Sequence, residues 1–281
     1  MEVYMYQQPE VFRQRVESYL LQKEDIHNLA LGIINHLADP NSQYDDATHF
    51  FMATVEDAGQ IKLVMVKSTS YLVLSSLEND LDEAMSVAVS YLLEHDLSIP
   101  GVIGVRSIAD AFINHWKEKS QQPVTVAMKQ RIYRLEEVND VINCPGKCRA
   151  ATSEDIEQVT KWIQAFSAEA LEPVSSKEAR DFAERCICKQ SLYIWEDHVP
   201  VSMANSTRPT KNGIVINAVY TPPEYRNHGY ATACVAALSQ HLLNSGYHFC
   251  TLYTDLANPT SNSIYMKIGY RPIAESIVYK F

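Results

Sequence analysis

Two stretches in the last quarter of the chain hold residues whose types and spacing suit the binding of a phosphorylated ligand. The first, VYTPPEYRNHGYATACVAAL (residues 219–238), passes from a β-prone segment through two prolines to Arg226 and Gly229, where a helix-forming run begins. The first turn of a helix exposes backbone N–H groups and carries partial positive charge. Gly229 permits close approach of an oxyanion and Arg226 supplies a cation, so the pattern predicts a diphosphate site.

Pro222 and Pro223 bear on the strand that precedes this loop. Proline has no N–H to donate to a sheet ladder, so the strand is predicted to part from its neighbour at these residues. The backbone groups of Val219 and Thr221 then become available to an extended ligand that carries amide groups. Ala231, a small residue, keeps the other wall of the loop low.

The second stretch is NPTSNSIYMKIGY, residues 258–270. Asn258 and the proline after it predict the start of a short helix, and Gly269 predicts its end. Asn262 and Tyr265 are three residues apart and therefore share one face of that helix. Because one helix and one strand separate the two stretches, we expect the short helix to lie beside the first.

Together the two stretches resemble the acetyl-CoA motifs of the general-control-related N-acetyltransferases, the GNAT superfamily, over about residues 148–281. The resemblance implies acetyl-CoA as cofactor and the pyrophosphate loop Arg226, Asn227, His228, Gly229, Tyr230 and Ala231. It implies that Val219 and Thr221 hold the pantetheine arm and the acetyl carbonyl through their backbone. It also implies cofactor contacts from Asn258 and Asn262, with Tyr265 as the acid that protonates the departing thiolate.

The activity that the resemblance implies is direct attack by a primary amine on the thioester in a ternary complex. This chemistry needs a neutral amine, hydrogen-bond donors for the oxyanion, and an acid near the sulfur. The general base is left open. Some relatives have a glutamate on the central strand where this chain has Asn217, and the candidates here are Glu169, Asp255, Glu224 or a water molecule.

The order of the predicted elements indicates an α+β fold with a mixed, mostly antiparallel sheet flanked by helices. A turn-like seam at residues 143–146 divides residues 1–146 from 147–281, and the chain is predicted to end in a hairpin over 270–281. Residues 49–76 repeat the strand, acidic turn, strand and strand of 192–221. The chain therefore resembles the two-domain bacterial acetyltransferases in which a degenerate N-terminal copy precedes an active one.

The N-terminal copy lacks the diphosphate pattern. Its third strand is followed by LENDLDEA, which has four acids and no Arg-x-x-Gly. Acids at a helix start suit the helix dipole but repel a diphosphate. Residues 1–146 are therefore expected to bind no CoA and instead to shape the acceptor cleft or a subunit contact.

Charge and composition limit the partners. The net charge of −10 lies in residues 1–146, where 11 Lys+Arg oppose 21 Asp+Glu. Such a chain is a poor candidate for nucleic-acid binding, and its charge favours a cationic amine such as a polyamine or an aminoglycoside. An amino acid or a protein terminus remains open as the acceptor, as does the oligomeric state.

The remaining sequence patterns concern location, metals and rival functions. The chain has no signal-peptide pattern and no apolar run of about 18 residues, which predicts a cytoplasmic protein without a membrane span. The six cysteines lack zinc-site spacing, so no metal is expected. A non-catalytic acyl-CoA sensor or scaffold is the alternative function. A dinucleotide-binding oxidoreductase is disfavoured, since no G-x-G-x-x-G follows a strand.

Overall fold

The structure is a computed structural model that describes residues 1–40, 50–67, 71–141, 143–170 and 173–281. The chain forms two compact units. Unit 1 combines Met1–Ile132 with Thr254–Ala257 and Ile273–Phe281, and unit 2 combines Tyr133–Tyr253 with Asn258–Pro272. These units are defined by contacts between residues and not by folding domains. The predicted domain boundary between residues 146 and 147 therefore stays a prediction.

Twelve strands and eight helices are found in the described ranges. In chain order they are β1 (Glu2–Met5), α1 (Pro9–Leu20), α2 (Asn28–Ala38), β2 (Phe51–Asp57), β3 (Gln60–Lys67), β4 (Leu72–Ser75), α3 (Asp82–Glu94), β5 (Gly101–Val105), α4 (Arg106–Ser120), β6 (Thr125–Leu135), β7 (Lys147–Ala150), α5 (Ile156–Ala170), α6 (Ser176–Cys188), β8 (Leu192–Asp197), β9 (Val199–Thr207), β10 (Gly213–Tyr220), α7 (Tyr230–Asn244), β11 (Phe249–Asp255), α8 (Pro259–Ile268) and β12 (Arg271–Lys280).

The same order of ten elements occurs twice, once from β1 to β6 and once from β7 to β12. Both copies contain antiparallel hairpins and one parallel pair joined by a helix, β4 with β5 and β10 with β11. A parallel pair needs such a crossover, whereas an antiparallel pair needs only a turn. The predicted fold class of two tandem copies is confirmed, and the repeat is longer than the sequence echo indicated.

Unit 1 has the strand order β1-β2-β3-β4-β5-β12-β6. Strand β12 pairs antiparallel with β5, from Ser276↔Val105 to Lys280↔Gly101. The predicted hairpin over 270–281 is therefore wrong, because these residues form one long strand. Pro272 lies at the start of that strand, where a missing N–H is tolerated, and does not initiate a turn.

Unit 2 has the strand order β11-β10-β9-β8-β7. Side chains alternate between its two faces. We call the side that packs with α7 and α8 the α7 face; it includes Ile216 and Leu252. We call the other side the α5 face; it packs with α5 and α6 and includes Ile194, Met203 and Ala218.

Both helices of the α5 face begin after a capping box. Thr152 and Asp155 form a capping box before α5, and Ser175 and Glu178 form another at the start of α6. Each box satisfies backbone donors that the first helical turn leaves without partners.

The described ranges contain neither a membrane-spanning helix nor a cluster of metal ligands. No helix there is long and apolar enough to cross a membrane. No group of three or more His, Cys, Asp or Glu side chains there is arranged to hold a metal ion.

Candidate functional site

Strand β10 separates from β11 after only three residue pairs. Residues 213–215 pair with 249–251, and beyond them β10 has no register partner in β11 within the described chain. A register shift against β9 follows between Asn217 and Tyr220, and Ala218 there has a φ of +48°. This geometry is a β-bulge, which bends a strand and interrupts its pairing. We call the space between the two strands beyond residues 215 and 251 the β10/β11 opening.

The opening begins before the two prolines. The prediction that pairing ends at Pro222 and Pro223 holds for β9, whose register with β10 runs to Tyr220, but pairing with β11 already ends at Val215, before the bulge at Ala218. The prolines instead introduce a 3-10 turn over Pro223–Tyr225. The register places Val219 and Thr221 in and just after the irregular part of the strand.

The loop before α7 uses two left-handed backbone conformations. Asn227 has a φ of +65° and Gly229 a φ of +85°, and glycine adopts such values without a steric penalty. The first helical hydrogen bond runs from the Ala233 N–H to the Gly229 carbonyl at 3.0 Å. The N–H groups of residues 230–232 therefore precede the helical ladder and are available at the helix start.

The guanidinium of Arg226 is held by two groups of unit 2. Its Nε donates to the Thr221 carbonyl at 2.9 Å. Its Nη2 donates to both carboxylate oxygens of Glu169, near the end of α5, at 2.9 and 2.7 Å. The structure thus brings together the predicted phosphate-binding arginine, a candidate base and a predicted backbone contact.

The side chains of Tyr230 and His228 are engaged in contacts within unit 2. The Tyr230 hydroxyl donates to Oδ2 of Asp197, the last residue of β8, at 2.6 Å. That hydrogen bond, together with desolvation, raises the pKa of Tyr230 to about 12. The exposed His228 ring stacks on the Tyr230 ring with centroids 5.7 Å apart. At Tyr230 and Ala231 the loop therefore offers a ligand its backbone N–H groups.

A pocket of about 620 Å³ lies at the start of α7. Its lining residues are Asp140, Val141, Asn143, Gly229, Thr232 and Lys267. Asn139 fixes the adjoining end of α8, because its backbone N–H donates to the Ile268 carbonyl at 2.8 Å and its side chain to the Lys267 carbonyl at 2.9 Å. Lys267 was not among the predicted residues, although it stands two positions beyond Tyr265 and is the only cation of residues 258–270.

Asn258 and Asn262 are engaged within the protein. The Asn258 side chain caps α8 by accepting from the Ser261 N–H at 3.1 Å. The Asn262 amide donates to the Asn258 carbonyl at 2.7 Å and accepts from the Tyr133 hydroxyl at 2.9 Å. Tyr133 comes from β6, and no sequence pattern links it to α8.

Tyr265 lies on the same helical face as Asn262 and is buried, with 8% of its surface exposed. Its ring lies between Tyr133 and Tyr270, with centroid distances of 6.4 and 5.9 Å. Among the described residues, none hydrogen-bonds its hydroxyl. Burial raises the pKa of Tyr265 well above its ordinary value, so the phenol is protonated at neutral pH.

The candidate bases are spread over the chain. The Glu169 carboxylate binds Arg226, and Glu224 lies exposed in the 3-10 turn. Asp255 is in unit 1 and accepts from the Ala257 N–H at 2.8 Å. Asn217, where some relatives have a glutamate, accepts from Asn205 Nδ2 at 2.9 Å.

The corresponding loop of unit 1, between β4 and α3, has a different arrangement. Its Leu77 N–H donates to the Tyr19 hydroxyl at 2.8 Å, and its Glu78 N–H donates to Ser76 Oγ at 3.0 Å. Two acids occupy the first turn of α3. The backbone donors that directly follow β4 thus have internal acceptors, and the start of α3 carries acids where the start of α7 has none.

The comparisons with known proteins agree with this architecture. A family model described as FR47-like protein, a GNAT-like family, matches residues 200–278. A GNAT-family acetyltransferase from Colwellia psychrerythraea is similar over 100% of both chains, with a TM-score of 0.61 at 11% identity. A tandem GNAT protein from the clavulanic acid biosynthesis pathway is similar over 100% of this chain and 98% of its own, with a TM-score of 0.55 at 10% identity.

This chain is a tandem GNAT-fold protein. The predicted resemblance to the GNAT superfamily is confirmed at the level of the fold, and the similarity to the tandem GNAT protein extends over both copies. A Drosophila structural genomics target has the same fold, with a TM-score of 0.68 at 11% identity over 99% of this chain and 98% of its own. At identities this low, the similarity to these structures shows the fold of the chain. No curated protein sequence matches it significantly.

Proposed function

We propose that this GNAT-fold protein is an acetyl-CoA-dependent N-acetyltransferase that transfers an acetyl group to a primary amine in a ternary complex. The observation that carries the proposal is the β10/β11 opening, which the bulge at Ala218 creates and which is followed by the α7 helix start. An opened strand offers backbone groups to an amide-bearing arm, and a helix start offers N–H groups to a diphosphate. Acetyl-CoA contains both, with the thioester at the end of the arm.

The N–H groups of residues 230–232 are the proposed diphosphate donors, together with the charge of Lys267 in the adjoining pocket. Asn227, His228 and Gly229 give the loop its shape. Arg226 contributes its charge if phosphate oxygens replace the carboxylate of Glu169. Val219 and Thr221 are proposed to hold the pantetheine arm, and Asn258 and Asn262 to build the wall that faces it.

Tyr265 is the proposed acid. A phenol whose pKa is raised by burial keeps its proton at neutral pH and can donate it in a hydrogen bond to the departing sulfur. The same shift makes the phenol a weaker acid than an ordinary tyrosine. We therefore assign to Tyr265 a hydrogen bond that stabilises the leaving thiolate, which then takes up from solvent water a proton equivalent to the one that the amine releases.

The proton on the amine can leave through Glu169, Glu224, Asp255 or a water molecule. Asn217 cannot act as a base, because an amide does not accept a proton at neutral pH. The acceptor is proposed to be a small-molecule amine, with the acidic residues 1–146 favouring a cationic one. Unit 1 is proposed to bind no CoA, since Asp82 and Glu83 occupy the first turn of α3 and repel a diphosphate.

The test is release of free thiol from acetyl-CoA across a panel of polyamines, aminoglycosides, amino acids and peptides, with mass spectrometry of the product. We expect turnover with at least one class and a loss of turnover in Tyr265→Phe. Tight binding of acetyl-CoA without turnover for every amine would favour the alternative of an acyl-CoA sensor. Failure to bind acetyl-CoA would rule out both functions.

A further inference from the structure

Arg208 follows β9 directly, and no described residue forms a salt bridge with it. Its φ of +47° is left-handed, and hydrogen bonds from Thr210 to the Gly213 carbonyl at 2.8 and 3.1 Å close the turn after it. Arg149 and Arg226, elsewhere in unit 2, each bind a carboxylate. The Nε of Arg208 is buried and has no hydrogen-bond partner in the described part of the chain.

The guanidinium of Arg208 lies over the Tyr253 ring, 5.8 Å from its centroid. A buried cation without an anionic partner is costly, and a cation–π contact offsets only part of that cost. Burial accordingly lowers the pKa of Arg208, although an arginine remains charged at neutral pH. An anion that reached this guanidinium would gain a charge-assisted hydrogen bond without displacing a resident acid.

Arg208 follows Thr207, which pairs with Val215, and its contact with Tyr253 places the guanidinium at the base of the β10/β11 opening. Tyr253 stands two residues beyond Thr251, the last residue of β11 that pairs with β10. Cys250 and Leu252 pack in the cluster of the α7 face, so by alternation Tyr253 faces the other side of the sheet. The start of α7 is on the α7 face, so the α5 face is left for an amine to approach the thioester.

We propose that Arg208 binds a carboxylate of the acceptor, so that the acceptor is an amine that also carries an acid, such as a free amino acid. This inference rests on the proposed acetyltransferase function. It favours a different acceptor class from the one that net charge indicates. Net charge acts through exposed acids, which salt screens beyond about 10 Å, whereas a guanidinium in direct contact with the acceptor is not screened.

The experiment uses the full chain and matched acceptor pairs, each an amino acid and its carboxamide. We expect the wild type to prefer the acid by about tenfold or more in kcat/KM. Arg208→Gln should lower kcat/KM for the acid by about a hundredfold and change the value for the amide by less than about twofold. Arg208→Lys should retain part of the preference, and the KM for acetyl-CoA should be unchanged in both variants.

Equal kcat/KM values for acid and amide in the wild type would overturn the inference, and this comparison needs no variant to fold. An equal loss for both acceptors in Arg208→Gln, with an unchanged melting curve, would also overturn it. Turnover with cationic amines alone would contradict the acid-binding role and leave the acetyltransferase function standing. Absence of both acetyl-CoA binding and thiol release would overturn the two together.

Discussion

One nitrogen of Arg226, Nη2, donates to both carboxylate oxygens of Glu169, at 2.9 and 2.7 Å. The two side chains are 41% and 48% exposed, and ion pairs at such exposure contribute about 0–1 kcal/mol to stability. A diphosphate can therefore replace the carboxylate at little cost. In this arrangement Glu169 is the ion-pair partner that a bound diphosphate would replace.

Glu169→Gln tests whether that residue is a partner of Arg226 or the base. As a partner, its loss should lower the KM for acetyl-CoA about two- to fivefold with kcat unchanged, because the released charge is worth less than 1 kcal/mol. Arg226→Gln should raise the same KM about tenfold. A fall in kcat of about a hundredfold or more in Glu169→Gln would instead identify Glu169 as the base.

Gly229→Ala should weaken acetyl-CoA binding through the backbone dihedral. A Cβ at this residue meets only Cys144 Cβ at 3.9 Å, so the strain comes from the φ of +85°. We expect a loss of about 1–2 kcal/mol of stability and a KM for acetyl-CoA raised about tenfold or more. The control is Gly246→Ala beyond the other end of α7, where φ is +105° and no atom lies within 4 Å of the Cβ. It should lose similar stability with an unchanged KM.

Tyr265→Phe should lower kcat about a hundredfold, the usual contribution of a positioned acid, with little change in the free energy of unfolding. Tyr270→Phe is the matched control. Its hydroxyl bonds Ser239 Oγ at 2.9 Å in the buried core, so the variant should lose about 1 kcal/mol of stability and keep its kcat. Equal kcat losses in the two variants would mean that Tyr265 acts only through packing.

The pH dependence of the same reaction follows from burial of Tyr265. Its pKa is raised, so the phenol stays protonated up to at least pH 10, and its ionisation should not limit kcat between pH 7 and about 10. An alkaline fall in kcat within that range that disappears in Tyr265→Phe would contradict the assignment.

Asp155 should make the stability of unit 2 depend on pH below about 4. Burial on its own raises the pKa of Asp155, but hydrogen bonds from Arg149 at 2.7 and 2.9 Å and from the Thr152 N–H at 2.8 Å outweigh it and lower that pKa. A lowered folded-state pKa gives stabilisation that is present above the unfolded pKa of about 3.9 and is lost as pH falls through the folded value.

Asp155→Asn should accordingly cost about 1–3 kcal/mol at pH 7 in urea unfolding, and the difference from wild type should shrink as pH falls below about 4. Asp181→Asn, which loses only the exposed pair with Lys177, should leave the unfolding curve nearly unchanged. A gap between wild type and Asp155→Asn that stays constant down to pH 2 would show that the ionised form is not what stabilises unit 2.

Calorimetric titration with acetyl-CoA should give one site per chain. Unit 2 combines the β10/β11 opening with a helix start that has no acid in its first turn, whereas the first turn of α3 in unit 1 holds Asp82 and Glu83, which repel a diphosphate. A variant that combines Arg226→Gln and Gly229→Ala should show no heat of binding. A second site that survives in this variant would place a CoA site in unit 1.

The residues that begin a helix act locally and can be recognised in the sequence. The capping pair Ser175 and Glu178 and the cap Asn258 each act within four residues, so the residues themselves carry the information. The bulge at Ala218 has no such signal, because alanine does not favour a φ of +48° and tertiary packing imposes it. Pro222 and Pro223 indicated the correct loop, although the separation from β11 begins before them, at Val215.

Contacts between distant residues could not be predicted at all. The Arg226–Glu169 pair spans 57 residues and the Tyr133–Asn262 hydrogen bond spans 129. Single-sequence patterns report which face of an element a residue occupies, and they do not report which element lies opposite. For the same reason, no sequence pattern indicates that Arg208 lies over Tyr253.

Strand β12 has a consequence for how the protein is made. Residues 276–280 complete the sheet of unit 1 by pairing with residues 101–105, so a ribosome must translate about 170 further residues before the partner of β5 exists. Until then β5 lacks that neighbour, and an exposed strand edge is prone to pair with other chains. Nascent unit 1 is thus exposed to aggregation for about 10–30 s at ordinary translation rates, and removal of β12 should leave that edge open permanently.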